Sequence, residues 1–488
     1  MTVRWRVLGE PADDTEAVVV PVHTGELPGW LPAALLAGTG FDGTAGRTLQ
    51  LPGPDGGPVT VLLGLGPRAG ADRAAVRGAA ARLARAVTGY RRLAVRAGAL
   101  DLGQLAEGYL LGGYRFAGYR SGGLPAPDQR VDVLAGPQEQ ARAQASLFTG
   151  RRRAEAVLLA RDLVNEPGGV LTPRTFAERA AKLAAGAGLE CEVWDGERIA
   201  AERLGGLLGV ARGSLEPPRL VRLGYRPAGA GPAGAGPGGR RIALVGKGVT
   251  FDAGGLSLKP NAQLADMKAD MAGAAAVLGA MSVLADLRCP VAVDGWLPLT
   301  ENMPNADPTR IGDVLRMRDG TTVEIRNADA EGRLILADAL LLAGESGPDA
   351  IIDLATLTDA AAVALGRRIA ALMGNDRALT ERVMAAGERA GEPNWPLPLP
   401  DAYRGQLASR VADLVNYTIG TRHGTALLAG LFLREFVPPG VPWAHLDIQG
   451  TALADGDEGE WTAGGTGFGV RTLIELLLEV DADPGAQR

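Results

Sequence analysis

Residues 242–255 read IALVGKGVTFDAGG, an apolar run from Ile242 to Val245 that breaks into glycines around Lys247 and Asp252. An uninterrupted apolar run of this length, bounded by glycine, is the pattern of a strand buried on both faces of a sheet. A buried strand opening into a glycine-rich turn is also where α/β folds place ligands, at the carboxyl ends of their strands. The turn is not a P-loop, because Gly248 follows Lys247 where Ser or Thr is required, and it lacks the spacing and following helix of a dinucleotide fingerprint. A metal site remains, with Asp252 as ligand and Lys247 beside it, against a plain lysine–aspartate ion pair. Lysine ligates only as the neutral amine, so that reading requires its pKa to be depressed.

Outward from this stretch the same grammar repeats. CEVWD (Cys191–Asp195), LVRLGY (Leu220–Tyr225), VAVDGWLPL (Val291–Leu299) and AIIDLATL (Ala350–Leu357) read as further strands separated by helical segments. The alternation predicts an α/β sheet covered by helices on both faces. Upstream, a helical pattern from Gln138 to Val164 stops at Asn165-Glu166-Pro167-Gly168-Gly169 and reads as a connecting helix. Before it, VTVLLGLG (Val59–Gly66) reads as a buried strand and Ala74–Val87 as an amphipathic helix. No cluster of ligating or phosphate-binding residues accompanies them. The expected organisation is a structural or assembly domain over 1–145, a connecting helix and linker over 146–170, and a catalytic domain over 171–488. PAGAGPAGAGPGG (Pro227–Gly239) reads as a surface loop.

Bulk properties set limits. A chain of 488 residues is too long for one core. Its 46% hydrophobic and 22% charged residues are those of a folded protein, and its net charge of −6 argues against nucleic acid as the main partner. The two cysteines, Cys191 and Cys289, form no framework, and neither a signal-like h-region nor a membrane span is found, so a cytoplasmic protein without membrane association is expected.

Two further clusters carry chemistry. In DMKADM (Asp266–Met271) the aspartates stand four apart and would share a helix face, where like charges are unfavourable without a cation. In NADAEGR (Asn327–Arg333), read as extended, Asn327, Asp329, Glu331 and Arg333 would all point to one side. The apolar run from Leu334 to Leu342 then reads as a buried helix. Asp252, Asp270, Asp329 and Glu331, with Lys247 as nitrogen donor, make a carboxylate-rich set able to hold two divalent ions, Mn²⁺ or Zn²⁺. The only histidines, His23, His423 and His445, lie away from these clusters, which argues against a histidine-based zinc site.

The motifs GKGVTFD, SLK, MKADM and NADAEGR, in this order and spacing, resemble those of the leucyl aminopeptidase (cytosol aminopeptidase) family. LVNEPGGVLTP, ATLTDA, ALMGND, WPLPL, HLDIQGTA and GGTGFGVRTLIELL echo it more weakly, and the likeness runs from about Asp162 to the C-terminus. The resemblance implies a macro-like N-terminal α/β domain joined by a helix to a catalytic domain with a central mixed sheet flanked by helices. It implies an aminopeptidase acting on peptides with a free N-terminus, with leucine and other apolar first residues preferred, in a homohexamer. One metal would be held by Lys247, Asp252, Asp270 and Glu331, and the other by Asp252, Asp329 and Glu331. Arg333 would hold a bicarbonate acting as general base, and Lys259 would polarise the scissile carbonyl. Met267, Thr356 and Leu357 would line the pocket for the first side chain.

The sequence departs from the pattern at Asp359, where the family commonly has glycine. Either its charge favours basic first residues or it only alters a loop. His423 replaces a small residue, Ala328 a threonine, and Glu166-Pro167-Gly168-Gly169 is unusual. The alternatives are a dipeptidase for Cys-Gly or similar peptides, a DNA-binding role, and a catalytically inactive scaffold, the last disfavoured by the complete ligand set.

Overall fold

The computed structural model describes residues 3–31, 38–53, 56–68, 73–98, 100–122, 128–227, 229, 239–420 and 423–479. Most of the expected loop over Pro227–Gly239 lies outside the described residues. The chain divides into two compact units, one running to Leu158 and joined by Ala454–Ala463, the other holding Leu159–Leu453 and the chain from Gly464 on. The division falls inside a single helix, Gln140–Asn165. The return of Ala454–Ala463 to the first unit is not foreseen in the sequence reading, which assigns that segment to the C-terminal domain.

The first unit is built on a six-stranded sheet of β1 (Val3–Leu8), β2 (Ala17–Val22), β3 (Thr48–Leu51), β4 (Val59–Gly64), β5 (Arg92–Arg96) and β6 (Gln129–Leu134), in the order β1-β6-β5-β2-β4-β3. All neighbours are parallel except β3 against β4. The expected helix appears at Arg73–Ala86, its buried side lined by Val76, Ala79, Ala80, Leu83 and Ala84.

The second unit holds β7 (Glu190–Trp194), β8 (Arg219–Tyr225), β9 (Arg241–Gly246), β10 (Gly248–Asp252) and β11 (Ala292–Asn302). A small sheet, β12 (Val314–Arg316), β13 (Thr322–Glu324) and β17 (Leu414–Val415), stands apart from the main one. The main sheet is completed by β14 (Ala350–Ala355), β15 (Ala370–Gly374), β16 (Asn394–Pro396) and β18 (Trp443–Asp447). Its order is β16-β15-β18-β14-β9-β11-β8-β7, with β10 pairing on β11. The sheet is mixed. β18, β14, β9 and β11 run parallel, whereas β8 is antiparallel to both β11 and β7, and β15 to β18. The four parallel strands therefore send their carboxyl ends to one edge, which the clusters around Lys247, Asn302, Thr356 and Asp447 all occupy.

Small residues let this edge close up. Every residue of the helix Ala272–Met281 is buried. A methyl group on Gly273 would come within 2.1 Å of the Leu354 carbonyl oxygen and 2.9 Å of the Lys247 backbone nitrogen. The abundance of Ala and Gly in this helix is thus the means by which Asp270, just ahead of it, comes against Lys247.

Candidate metal centre

Each functional side chain is delivered by a strand end or a helix start. Lys247 follows β9, Asp252 ends β10, and the chain then reverses through Gly254 and Gly255, both with positive φ (89° and 57°). This reversal, closed by the Lys259 amide donating to the Ala253 carbonyl at 3.0 Å, returns Lys259 to the site. Asp270 does not share an α-helix with Asp266, as the spacing suggests. The two flank a single 3₁₀ turn, Met267–Ala269, and this leaves Asp266 exposed while burying Asp270. NADAEGR is likewise not extended. The Asn327 carboxamide oxygen accepts from the Asp329 amide at 2.8 Å, an Asx turn, and Glu331 stands at the N-cap of the helix Gly332–Glu345. Glu331 and Arg333 reach the site from a helix start, and Asp329 from the turn before it.

The set converges tightly. Lys247 Nζ lies 2.8 Å from Asp270 Oδ1 and 2.9 Å from Glu331 Oε1, and it donates to the Thr356 carbonyl at 2.7 Å. Lys259 Nζ lies 2.8 Å from Asp252 Oδ2 and 2.5 Å from Asp329 Oδ1. Oxygens of Asp252, Asp329 and Glu331 all fall within 4.8 Å of one another. Four carboxylates meet two ammonium groups, so with every group ionised the buried cluster carries two more negative charges than positive ones. Asp270 Oδ2 and Glu331 Oε2 are buried without any hydrogen-bond partner. Oxygens left bare beside an excess of negative charge call for cations, and an all-oxygen set with one amine suits hard or borderline divalent ions.

The electrostatics follow from the crowding. Burial pushes Asp270 and Asp252 up, Asp270 strongly, and burial together with Asp252 and Glu331 pushes Asp329 up to about 7. Burial also acts against the Glu331 charge, but Lys247 and Lys259 outweigh it and hold that carboxyl low. The Lys247 ammonium is not depressed as a neutral ligand requires. Burial lowers it, but Asp270, Glu331 and Asp252 prevail and raise it, so among protein groups alone it is charged. Ligation of a metal by Lys247 therefore entails displacing a proton.

These groups line a cleft of about 500 Å³. Arg333, only 4% exposed, donates to the Asn416 carbonyl at 2.9 Å and keeps Nε without a hydrogen-bond partner. Burial pushes its guanidinium down to about 10, which leaves it positive at neutral pH. Met267 and Leu357 line the same cleft half-buried, and Asp359 lies at the exposed rim, accepting from Gln449 Nε2 at 3.3 Å. Thr356 lines it too, and its hydroxyl donates to Asp270 Oδ1 at 2.7 Å. His423 lies outside this lining, exposed just ahead of the helix Thr425–Arg434.

Comparison with known proteins settles the family. The family model described as "Cytosol aminopeptidase family, catalytic domain" matches residues 158–474, and the model of that family's N-terminal domain matches 25–123. The chain belongs to the cytosol aminopeptidase family. It is 45% identical to a probable cytosol aminopeptidase of Leifsonia xyli over 96% of this chain and 94% of the relative. To one of Streptomyces coelicolor it is 44% identical over 91% and 89%. Among solved structures it is similar to the bottromycin maturation enzyme BotP in complex with Mn, with 45% identity, TM-score 0.87 and coverage of 96% and 99%. It is also similar to a mutant tomato leucine aminopeptidase, with 30% identity, TM-score 0.86 and coverage of 98% and 97%. This cytosol aminopeptidase family member is accordingly a metal-dependent exopeptidase acting at peptide N-termini.

The family name does not account for three side chains that the sequence reading missed. Asn302 Nδ2 donates to Asp252 Oδ1 at 2.8 Å and to the Ala328 carbonyl at 3.0 Å. Asp447 accepts from the Leu357 amide at 3.2 Å and the Thr358 hydroxyl at 2.7 Å, fixing the loop that carries Thr356. Asn416 grips the NADAEGR turn. Asn302 and Asn416 belong to no spaced motif, and their only signal is a polar residue at the end of a strand; Asp447 stands within HLDIQGTA, which carries the family likeness without giving the residue a role.

Proposed function

We propose that the chain releases N-terminal residues, apolar ones by preference, from peptides in a dinuclear site. Lys247, Asp252, Asp270 and Glu331 would hold one divalent ion, and Asp252, Asp329 and Glu331 the other. The observation that carries this reading is the pair of buried, unpartnered carboxylate oxygens amid a surplus of negative charge. Bound there, two divalent ions supply Lewis-acid chemistry, making water a nucleophile at neutral pH and polarising a peptide carbonyl. The Mn of the BotP complex supports manganese as one such ion. Lys259, charged and facing the cleft, would orient the scissile carbonyl and offset the charge that develops on its oxygen. Arg333, with Nε free, would hold a planar anion such as bicarbonate, which would supply a general base there.

Met267, Thr356 and Leu357 offer the first side chain a partly apolar wall, and Asp359 at the rim is the position where a basic residue would gain. A cytoplasmic location and a homohexamer belong to the same reading and rest on the family. Among the described residues no helix is long and apolar enough to cross a membrane.

The test is hydrolysis of leucine and arginine p-nitroanilides by protein stripped with chelator and then given Mn²⁺ or Zn²⁺. Activity is expected to vanish on stripping, to return with metal and to be absent in Glu331→Ala. Asp359→Gly is expected to lower the Arg-to-Leu rate ratio, and an unchanged ratio removes Asp359 from specificity. Hydrolysis of Cys-Gly but not of any anilide points to the dipeptidase. No hydrolysis with any metal overturns the peptidase.

A further inference from the structure

We propose that Asn416 is a positioning residue that sets Asp329, Glu331 and Arg333 in one frame; the inference rests on the dinuclear reading above. Asn416 is fully buried and follows β17, the strand of the small sheet that pairs with β13. Its backbone amide continues that pairing to the Glu324 carbonyl at 3.1 Å, so its main chain is fixed by the small sheet. Its carboxamide then grips the NADAEGR turn with both ends. The oxygen accepts from the Arg326 amide at 2.8 Å and the Asn327 amide at 3.4 Å. The nitrogen donates to the Asn327 carbonyl at 2.7 Å and the Ala330 carbonyl at 3.4 Å. Its own carbonyl accepts from Arg333 Nη1 at 2.9 Å.

One residue thus holds the chain just before Asp329, the chain just before Glu331, and the guanidinium that follows. The turn has other ties, but each holds a single point: the Ala330 amide donates to the Asn327 carbonyl at 3.3 Å, and Lys259 and Lys247 meet the Asp329 and Glu331 carboxylates. Asp329 is tied to Asn327 by the Asx bond, and Ala328 to Asn302 and Ser257. A side chain with an acceptor at one end and a two-proton donor at the other is required here, and only asparagine supplies both at this length. Aspartate is the same size but turns the donating end into an oxygen aimed at the Asn327 and Ala330 carbonyls, which pushes the turn away.

Groups that orient metal ligands from outside typically change metal affinity or turnover about 10–100-fold when removed. Asn416→Asp and Asn416→Ser are expected to weaken one of two Mn²⁺ equivalents by about that factor in calorimetric titration, and to lower kcat on leucine p-nitroanilide with KM nearly constant. Asp338→Asn, on the same helix as Arg333 but away from the clasp, serves as a control for lost stability. It should bind both equivalents as the parent does. Unchanged Mn²⁺ titration and kcat in folded Asn416→Asp overturn the proposal, as does loss of folding in both Asn416 variants. If the parent itself takes up no Mn²⁺, the dinuclear reading fails instead.

Discussion

Asp338 is 1% exposed on the helix Gly332–Glu345, yet it lies outside the metal centre. Its two oxygens accept from the Leu207 amide at 3.0 Å and the Arg318 amide at 3.2 Å, so it caps the helix Gly205–Ala211 from across the core. Burial nevertheless prevails over these donors and pushes the carboxyl up to about 7. A carboxyl whose folded pKa exceeds its unfolded value binds the extra proton in the folded state. Its contribution is therefore full below about pH 4 and is lost as pH rises through about 7. Asp338→Asn replaces one acceptor with a donor facing an N–H, an expected loss of about 1–3 kcal/mol near pH 5. Because asparagine does not ionise, this deficit should shrink between pH 5 and pH 8, measured by denaturant unfolding at several pH values. A deficit that stays constant shows that Asp338 titrates in its ordinary range.

Gly332 shows what an element start contributes. The helix Gly332–Glu345 begins directly under the lysine that bridges Asp270 and Glu331, and a methyl group on Gly332 would lie 2.7 Å from Lys247 Cε and 2.8 Å from its Nζ. Lys247 is buried and held by three acceptors, so it has no open direction in which to yield. Gly332→Ala should leave the helix intact, since alanine favours it, yet lower kcat/KM about 100-fold, from a misplacement on the order of 1 Å. The check is kinetics beside a thermal melt, and parental kinetics in a folded variant mean that Lys247 does move.

The elements themselves were legible because their apolar runs are long: IALVG and LVRLGY lie on observed strands, and AIIDLATL overruns its strand, Ala350–Ala355, by Thr356 and Leu357. NADAEGR misleads because alternating polar and small residues carry a strand period, while the Asx bond of Asn327 and the helix entry at Glu331 decide the backbone. The site's composition was readable from carboxylates that would be unhappy without a cation. The amides of Asn302 and Asn416 were not, since one buried asparagine carries no period.

At the scale of the molecule, the chain's path matters more than any motif. It leaves the first unit at Leu158 and returns to it for Ala454–Ala463, between the short strands Leu453–Ala454 and Gly464–Gly465. No local signal marks such a return, because its acids are ordinary surface residues until their partners are placed. Glu460 lies 3.2 Å from Arg77, which is 2% exposed. Asp457 lies 3.0 Å from Arg115 and 3.4 Å from Arg85, and Arg85 also donates to the Trp461 carbonyl at 2.7 Å. The first unit is therefore incomplete without a segment some 300 residues downstream, although the N-terminal family model matches only 25–123. A fragment comprising residues 1–158 loses the Glu460 carboxylate from Arg77, which still donates to Gln104 Oε1 at 2.6 Å, and a hydrogen bond to a charged group contributes about 1.5–3 kcal/mol. That is an appreciable part of the roughly 5–15 kcal/mol that holds a typical domain together. The fragment should unfold at a markedly lower urea concentration than the same fragment carrying residues 454–463 through a flexible linker, followed by far-ultraviolet circular dichroism. Glu460→Gln in the linked form should forfeit much of the gain, because the amide keeps the shape but not the charge. Equal midpoints with and without the segment would show that the N-terminal unit folds on its own contacts, with Ala454–Ala463 resting on it as a passenger.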